Sequence, residues 1–172
     1  MDTHGQTTGI PTSSDSSAAS CTQNHIPSLS GREAHASGDE PLVILQINVK
    51  GWTAAKRELI HKMTREMKVT VVLIHETRQT MTDQLMLYGF TLVGHIPREH
   101  HSITTFARSS ISFLLVGYSN AGESIQSITI IINGIRISNV YHPLPRILNI
   151  SLLPSVSDQC IISGNFNSGH EN

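Results

Sequence analysis

The stretch that most constrains the fold runs from Leu42 to Ile74. Leu42 to Ile47 is a mostly apolar run, suited to a strand buried on both faces. Thr53 can cap a helix that starts at Ala54 and runs to about Lys68. Within it Ala55, Leu59, Met63 and Met67 recur at i+4, and Lys56, Arg57, Lys62 and Arg65 face away. Val69 to Ile74 follows as a second strand, rich in β-branched residues. A strand–helix–strand unit of this length predicts two parallel neighbours joined by a right-handed crossover. Both strands then end in polar residues on one edge of a sheet: Asn48 from the first, His75-Glu76-Thr77 from the second.

The rest of the chain reads as strands and turns. Met81 to Leu87 suggests a short helix stopped by Gly89, and Phe90 to Ile96 a strand ended by Pro97. Thr104 to Ala107 and Ile111 to Val116 read as strands, with Arg108-Ser109-Ser110 as the turn between them. Gln126 to Ile132 and Ile135 to Val140 flank Asn133-Gly134, which suits both positive-φ positions of a type I′ hairpin turn. Arg146 to Leu153 suggests a helix closed by Pro154. Finally, Cys160-Ile161-Ile162 reads as a short buried strand broken at Ser163-Gly164, with Asn165 and Asn167 flanking Phe166. Seen alone, that ending is equally a strand running into an Asn-rich turn.

Composition limits the alternatives. Residues 1–40 are rich in Ser, Thr, Gly, His and Asp, a composition that predicts a disordered polar leader. That leader lacks the basic and apolar regions of a signal peptide. No apolar run has membrane-spanning length. Cys21 and Cys160 form no CxxC pair, so no zinc ribbon or disulfide framework is indicated, and a reduced intracellular setting, the nucleus included, is expected. The ten histidines are scattered, and His100-His101 read as loop residues rather than metal ligands. The leader holds one basic and five acidic residues; positions 41–172 hold eleven basic and eight acidic. A mildly basic body is compatible with a polyanionic ligand.

Four strands thus deliver polar groups at their ends. Leu45-Gln46-Ile47-Asn48, Ile74-His75-Glu76-Thr77, Asn139-Val140-Tyr141-His142-Pro143 and Ile162-Ser163-Gly164-Asn165-Phe166-Asn167 stand in an order and spacing that resembles the endonuclease/exonuclease/phosphatase superfamily. The chain is most similar in flavour to the apurinic-type endonuclease domain of non-LTR, LINE- or jockey-like, retrotransposons. The resemblance covers essentially all of 41–172. It implies an α+β fold, a four-layer α/β-sandwich of two mixed sheets flanked by helices and incomplete at the C-terminus. It also implies Mg²⁺-dependent hydrolysis of DNA phosphodiesters. Glu76 matches the family's metal-ligating Glu, and Asn48 the residue that helps complete that site. Tyr141 matches a Tyr that contacts the phosphate, and Asn167 the Asn that orients it.

Asn165 departs from the pattern, because the family has Asp there to position and polarise the water or leaving group. An amide carries no charge and accepts no proton at neutral pH, and acid–base catalysis is worth roughly 10²–10⁴ in rate. The Asp and Ser-Asp-His segment that follows in intact members has no counterpart in this sequence. Ser102-Ile103-Thr104-Thr105 stands where related sequences carry a Gly-Gly pair, which leaves the local turn open. The expectation is therefore a degenerate, non-cleaving endonuclease-like domain; the alternative is a module that binds nucleic acid or protein. Residue by residue, Glu76 also reads as a rim carboxylate in an ion pair, and Tyr141 as packing at a sheet edge. Missing later strands would leave apolar faces and edges open, so the isolated chain is expected to be aggregation-prone or molten.

Overall fold

The computed structural model describes residues 41–121, 125–143, 148–154 and 159–167. The polar leader read at 1–40 lies outside the described residues. The elements are β1 (Ile44–Asn48), α1 (Ala54–Glu66), β2 (Val71–His75), β3 (Phe90–Ile96), β4 (Ile103–Arg108), β5 (Leu114–Ala121), β6 (Ile125–Ile132), β7 (Ile135–Tyr141) and β8 (Cys160–Asn165). They build two four-stranded sheets, in the orders β1-β2-β4-β3 and β5-β6-β7-β8. Each sheet has one parallel pair, β1 with β2 and β7 with β8, and is otherwise antiparallel. The architecture is an α+β sandwich of two mixed sheets. Among the described residues α1 is the one α-helix, and it packs on the outer face of the first sheet.

Strand alternation assigns the two faces. Val71, Leu73 and Ala107 meet Ile130, Ile132 and Ile137 between the sheets. Val72, Ile74 and Phe106 point the other way, toward Trp52, Ile60, Leu85 and Leu87. All five residues of β2 are buried. The edge strand β1, expected to be buried on both faces, exposes Gln46 and Asn48.

Several elements differ from the sequence reading. Helix α1 is capped by Thr53 as expected, its side chain accepting from Lys56 N at 3.3 Å. The buried stripe, however, is Ile60 and Thr64, while Leu59 and Met67 are about half exposed, at 55% and 50%. The helix is turned by one residue because Lys56 faces inward. Its ammonium donates to the carbonyls of Val49, Lys50 and Gly51 and so closes the β1–α1 loop. Met81 to Leu87 forms no helix: Leu85 and Leu87 are buried and Met86 between them is exposed, an i, i+2 alternation. The turn read at Arg108-Ser109-Ser110 is present, Ile111 N donating to Arg108 O at 3.0 Å, but the strand read at 111–116 begins only at Leu114 and pairs in the second sheet while β4 pairs in the first. Of the helix read at 146–153, residues 146 and 147 lie outside the described residues, and the remainder holds a single 3-10 turn, Ile150–Leu152. The hairpin at Asn133-Gly134 is present, with φ of 50° and 78°.

One polar bridge joins the sheets through their apolar interior. His75 Nε2–H donates to Asn139 Oδ1 at 2.6 Å. The Asn139 amide donates in turn to Thr104 O at 3.0 Å and to Thr105 Oγ1 at 3.1 Å. His75 and Asn139 are fully buried. Burial holds the His75 imidazole below its ordinary range, outweighing the Asn139 bond and the Glu76 charge, which both favour protonation. The unfolded chain protonates this ring near pH ~6.5. Below that value the unfolded state binds more protons than the folded one, so stability falls with pH. The contribution is complete above pH ~6.5 and is lost as pH falls from there through the lowered folded value. Urea midpoints measured from about pH 7.5 to about 5.5 should therefore drop, and drop less in His75→Phe. Equal pH slopes in the two proteins would contradict this account.

Candidate active site at the polar edge

The C-terminal ends of β1 and β2 lie side by side, with Asn48 opposite His75. The chain then turns sharply, and Glu76 adopts a left-handed conformation with φ 57°. Such a backbone costs about 1–3 kcal/mol for a non-glycine residue and persists only where its surroundings over-determine it. They do so here. Glu76 N donates to Ser102 O at 2.7 Å, and Glu76 O accepts from Gly51 N at 2.6 Å. Ser102 also supplies its hydroxyl, 2.7 Å from Thr77 Oγ1 and accepting from Arg78 N at 2.7 Å. Ser102 thus builds the turn that presents Glu76.

Glu76 Oε1 is the hub of the edge. Asn48 Nδ2 donates to it at 2.6 Å, and Asn48 Oδ1 accepts from Lys50 N at 3.2 Å. From the opposite sheet, the Tyr141 hydroxyl donates to the same oxygen at 3.3 Å. Burial, followed by the Glu76 charge and hydrogen bond, pushes the Tyr141 phenol up to about 12, against an opposing bond from Asn167. At neutral pH the phenol therefore keeps its proton and acts as a donor.

Asn165 and Asn167 come from β8 and its exit. Parallel pairing sets Asn165 opposite Tyr141. Gly164 has to be glycine because a Cβ there would sit 2.0 Å from Val140 O. The Asn165 side chain closes a local turn, its Oδ1 accepting from Asn167 N at 3.3 Å. Asn167 Nδ2 donates to His142 O at 2.9 Å, and His142 N donates to Asn165 O at 2.9 Å. The structure thus brings Asn48, Glu76 and Tyr141 into direct contact. Asn167 reaches Tyr141, and Asn165 lies next to it in the ladder with its oxygen committed to the turn.

The sequence reading missed His101. Its Nδ1 lies 2.9 Å from the Tyr141 hydroxyl, and its ring stacks on the tyrosine at 5.4 Å between centroids and 26° between planes. No pattern in residues 97–102 signals this, because the contact depends on where the β3–β4 loop lands on the other sheet.

The donors at this edge are oxygens: one carboxylate, on Glu76, and the carboxamides of Asn48 and Asn167. Among the described residues no three or more His, Cys, Asp or Glu converge. Such a set fits Mg²⁺, which is held by one or two carboxylates while keeping most of its waters.

No protein-family profile matches the chain, and no curated protein matches it. Solved structures do. D. rerio TDP2 complexed with a single-strand DNA product matches with a TM-score of 0.53 at 12% identity, covering 75% of this chain and 62% of that one. An AP endonuclease from Archaeoglobus fulgidus matches with a TM-score of 0.41 at 17% identity, covering 59% and 41%. The human Nocturnin catalytic domain with a bound sulfate anion matches with a TM-score of 0.42 at 13% identity, covering 59% and 49%. This chain therefore spans less than two thirds of the length of each of these structures. The likeness to D. rerio TDP2 extends to the fold, a sandwich of two mixed sheets.

Proposed function

We propose that the chain is a retrotransposon-type endonuclease-like domain whose polar edge binds DNA phosphodiesters without cutting them. The observation that carries the reading is the Asn48–Glu76–Tyr141 chain. It joins the ends of three strands from two sheets on one carboxylate oxygen. A structural ion pair does not account for it, since both partners of Glu76 are uncharged donors. The D. rerio TDP2 structure, which holds a single-strand DNA product, supports DNA as the ligand class. The motif order in the sequence supports the retrotransposon flavour.

The residues divide the work. Glu76 and Asn48 would hold Mg²⁺, and when bound that ion supplies charge neutralisation at the phosphate. Tyr141 donates its phenolic proton toward a phosphate oxygen. Asn167 offers a neutral amide for the same group. Asn165 supplies no general base and no negative charge, and its oxygen already serves the turn to Asn167. Losing an acid–base group costs ~10²–10⁴ in rate.

Equilibrium binding of a short DNA strand over a range of salt tests the binding claim. Affinity should fall with rising salt as counterions are released, and Tyr141→Phe should weaken it. Salt-independent affinity, or none, would overturn it. A supercoiled-plasmid assay in Mg²⁺ tests the non-cleaving claim: no nicking above the metal-free control is expected. Nicking that needs Mg²⁺ and disappears in Glu76→Gln would overturn it. Calorimetry should find Mg²⁺ bound weakly, on the order of millimolar, from a single carboxylate and amides. A micromolar site would contradict this donor assignment.

A further inference from the structure

We propose that His101 is a positioning residue for this edge: carrying a proton on Nδ1, it fixes the Tyr141 hydroxyl as a donor toward Glu76 and an arriving phosphate. The inference rests on the phosphodiester-site reading above. It starts from the proton count. The phenol has one proton and three polar neighbours: His101 Nδ1 at 2.9 Å, Glu76 Oε1 at 3.3 Å and the side chain of Asn167, which donates to the phenol oxygen. Were Nδ1 the acceptor, that proton would point at the ring. The phenol oxygen and the carboxylate would then face each other with nothing between them, a costly arrangement in a partly buried site. With Nδ1–H donating, both bonds form at once and the chain runs His101 → Tyr141 → Glu76 ← Asn48. When a cation claims Glu76, the phenol keeps the His101 N–H fixed behind it, and its own proton stays directed into the edge toward a phosphate oxygen.

The placement of His101 is built. Gln126, a buried residue of β6, lies between His101 O and Arg98 Nε; with its amide oriented to satisfy both, it donates to His101 O at 2.6 Å and accepts from Arg98 Nε at 2.9 Å. Arg98 also donates to Asn120 Oδ1 at 3.1 Å. Three side chains of the second sheet, Asn120, Gln126 and Tyr141, therefore hold the β3–β4 loop where the imidazole meets the phenol.

Two substitutions separate the N–H from the ring. His101→Asn retains an amide N–H at the position of Nδ1 and loses the stacking ring. His101→Phe retains the ring and loses the N–H. For binding of a short DNA strand, His101→Phe should lose about three- to tenfold, the range of one ordinary hydrogen bond, and His101→Asn should stay close to the parent. The reverse order would show that ring packing alone matters and would overturn the proposal. Long-range ¹H–¹⁵N NMR reads the tautomer without any DNA. His101 should carry its proton on Nδ1 in the parent and shift toward Nε2 in Tyr141→Phe. An Nε2–H tautomer in the parent would overturn the proposal. Absence of DNA binding in the parent would sink the phosphodiester reading, while the tautomer would still decide the role of His101.

Discussion

The hydrogen bond between His75 and Asn139 is the constraint on which the arrangement depends. Apolar layers such as Val71, Leu73, Ile130 and Ile137 can slide past one another at little cost, because dispersion and burial have no direction. A hydrogen bond has direction. Asn139 uses its oxygen on His75 and its amide on Thr104 and Thr105, so a slip of one residue would leave several buried polar atoms unpaired. Each such atom costs about 1–3 kcal/mol. The bridge thus fixes one register between the sheets. Glu76 follows His75 directly, and Tyr141 lies two residues beyond Asn139 on the same face of β7. Fixing the bridge therefore fixes the meeting of Glu76 and Tyr141 at the rim.

What the rim can do follows from which of its groups carry charge. Glu76 supplies one negative charge, fit for a hard cation. Tyr141 and Asn167 supply neutral donors, fit for phosphate oxygens. Asn165 offers an amide, and the parallel pairing of β7 and β8 places it beside Tyr141. The turn it closes toward Asn167 needs only an acceptor, which an amide oxygen provides as well as a carboxylate. Asn165 thus serves the geometry of this edge and offers no carboxylate for proton transfer.

Much of this edge was legible in the sequence, because its logic is local. Asn48, Glu76, Tyr141, Asn165 and Asn167 all sit where an apolar run stops, and strands that run in parallel end on the same side. Thr53 as a cap and Asn133-Gly134 as a turn are likewise set by neighbouring residues. Failures came where distant parts decide. The buried stripe of α1 is rotated because Lys56 reaches carbonyls of the preceding loop, which periodicity alone does not reveal. The segment Met81 to Leu87 has helical residues but is pulled flat by burying Leu85 and Leu87 against Trp52, whose indole donates to Gln84 O at 3.1 Å. His101 lay beyond reach for the same reason, since its role exists only once a loop of one sheet lies against a strand of the other.

The central claim is that residues from both sheets form one phosphodiester site. A double-mutant cycle on DNA-strand affinity with Glu76→Gln, Tyr141→Phe and the double variant tests it most directly. Residues that share a partner couple by about 0.5–3 kcal/mol, whereas independent sites add. The account predicts coupling within that range, the second substitution costing clearly less in the presence of the first. Strict additivity would mean that Glu76 and Tyr141 act apart, and the single-site account would be wrong.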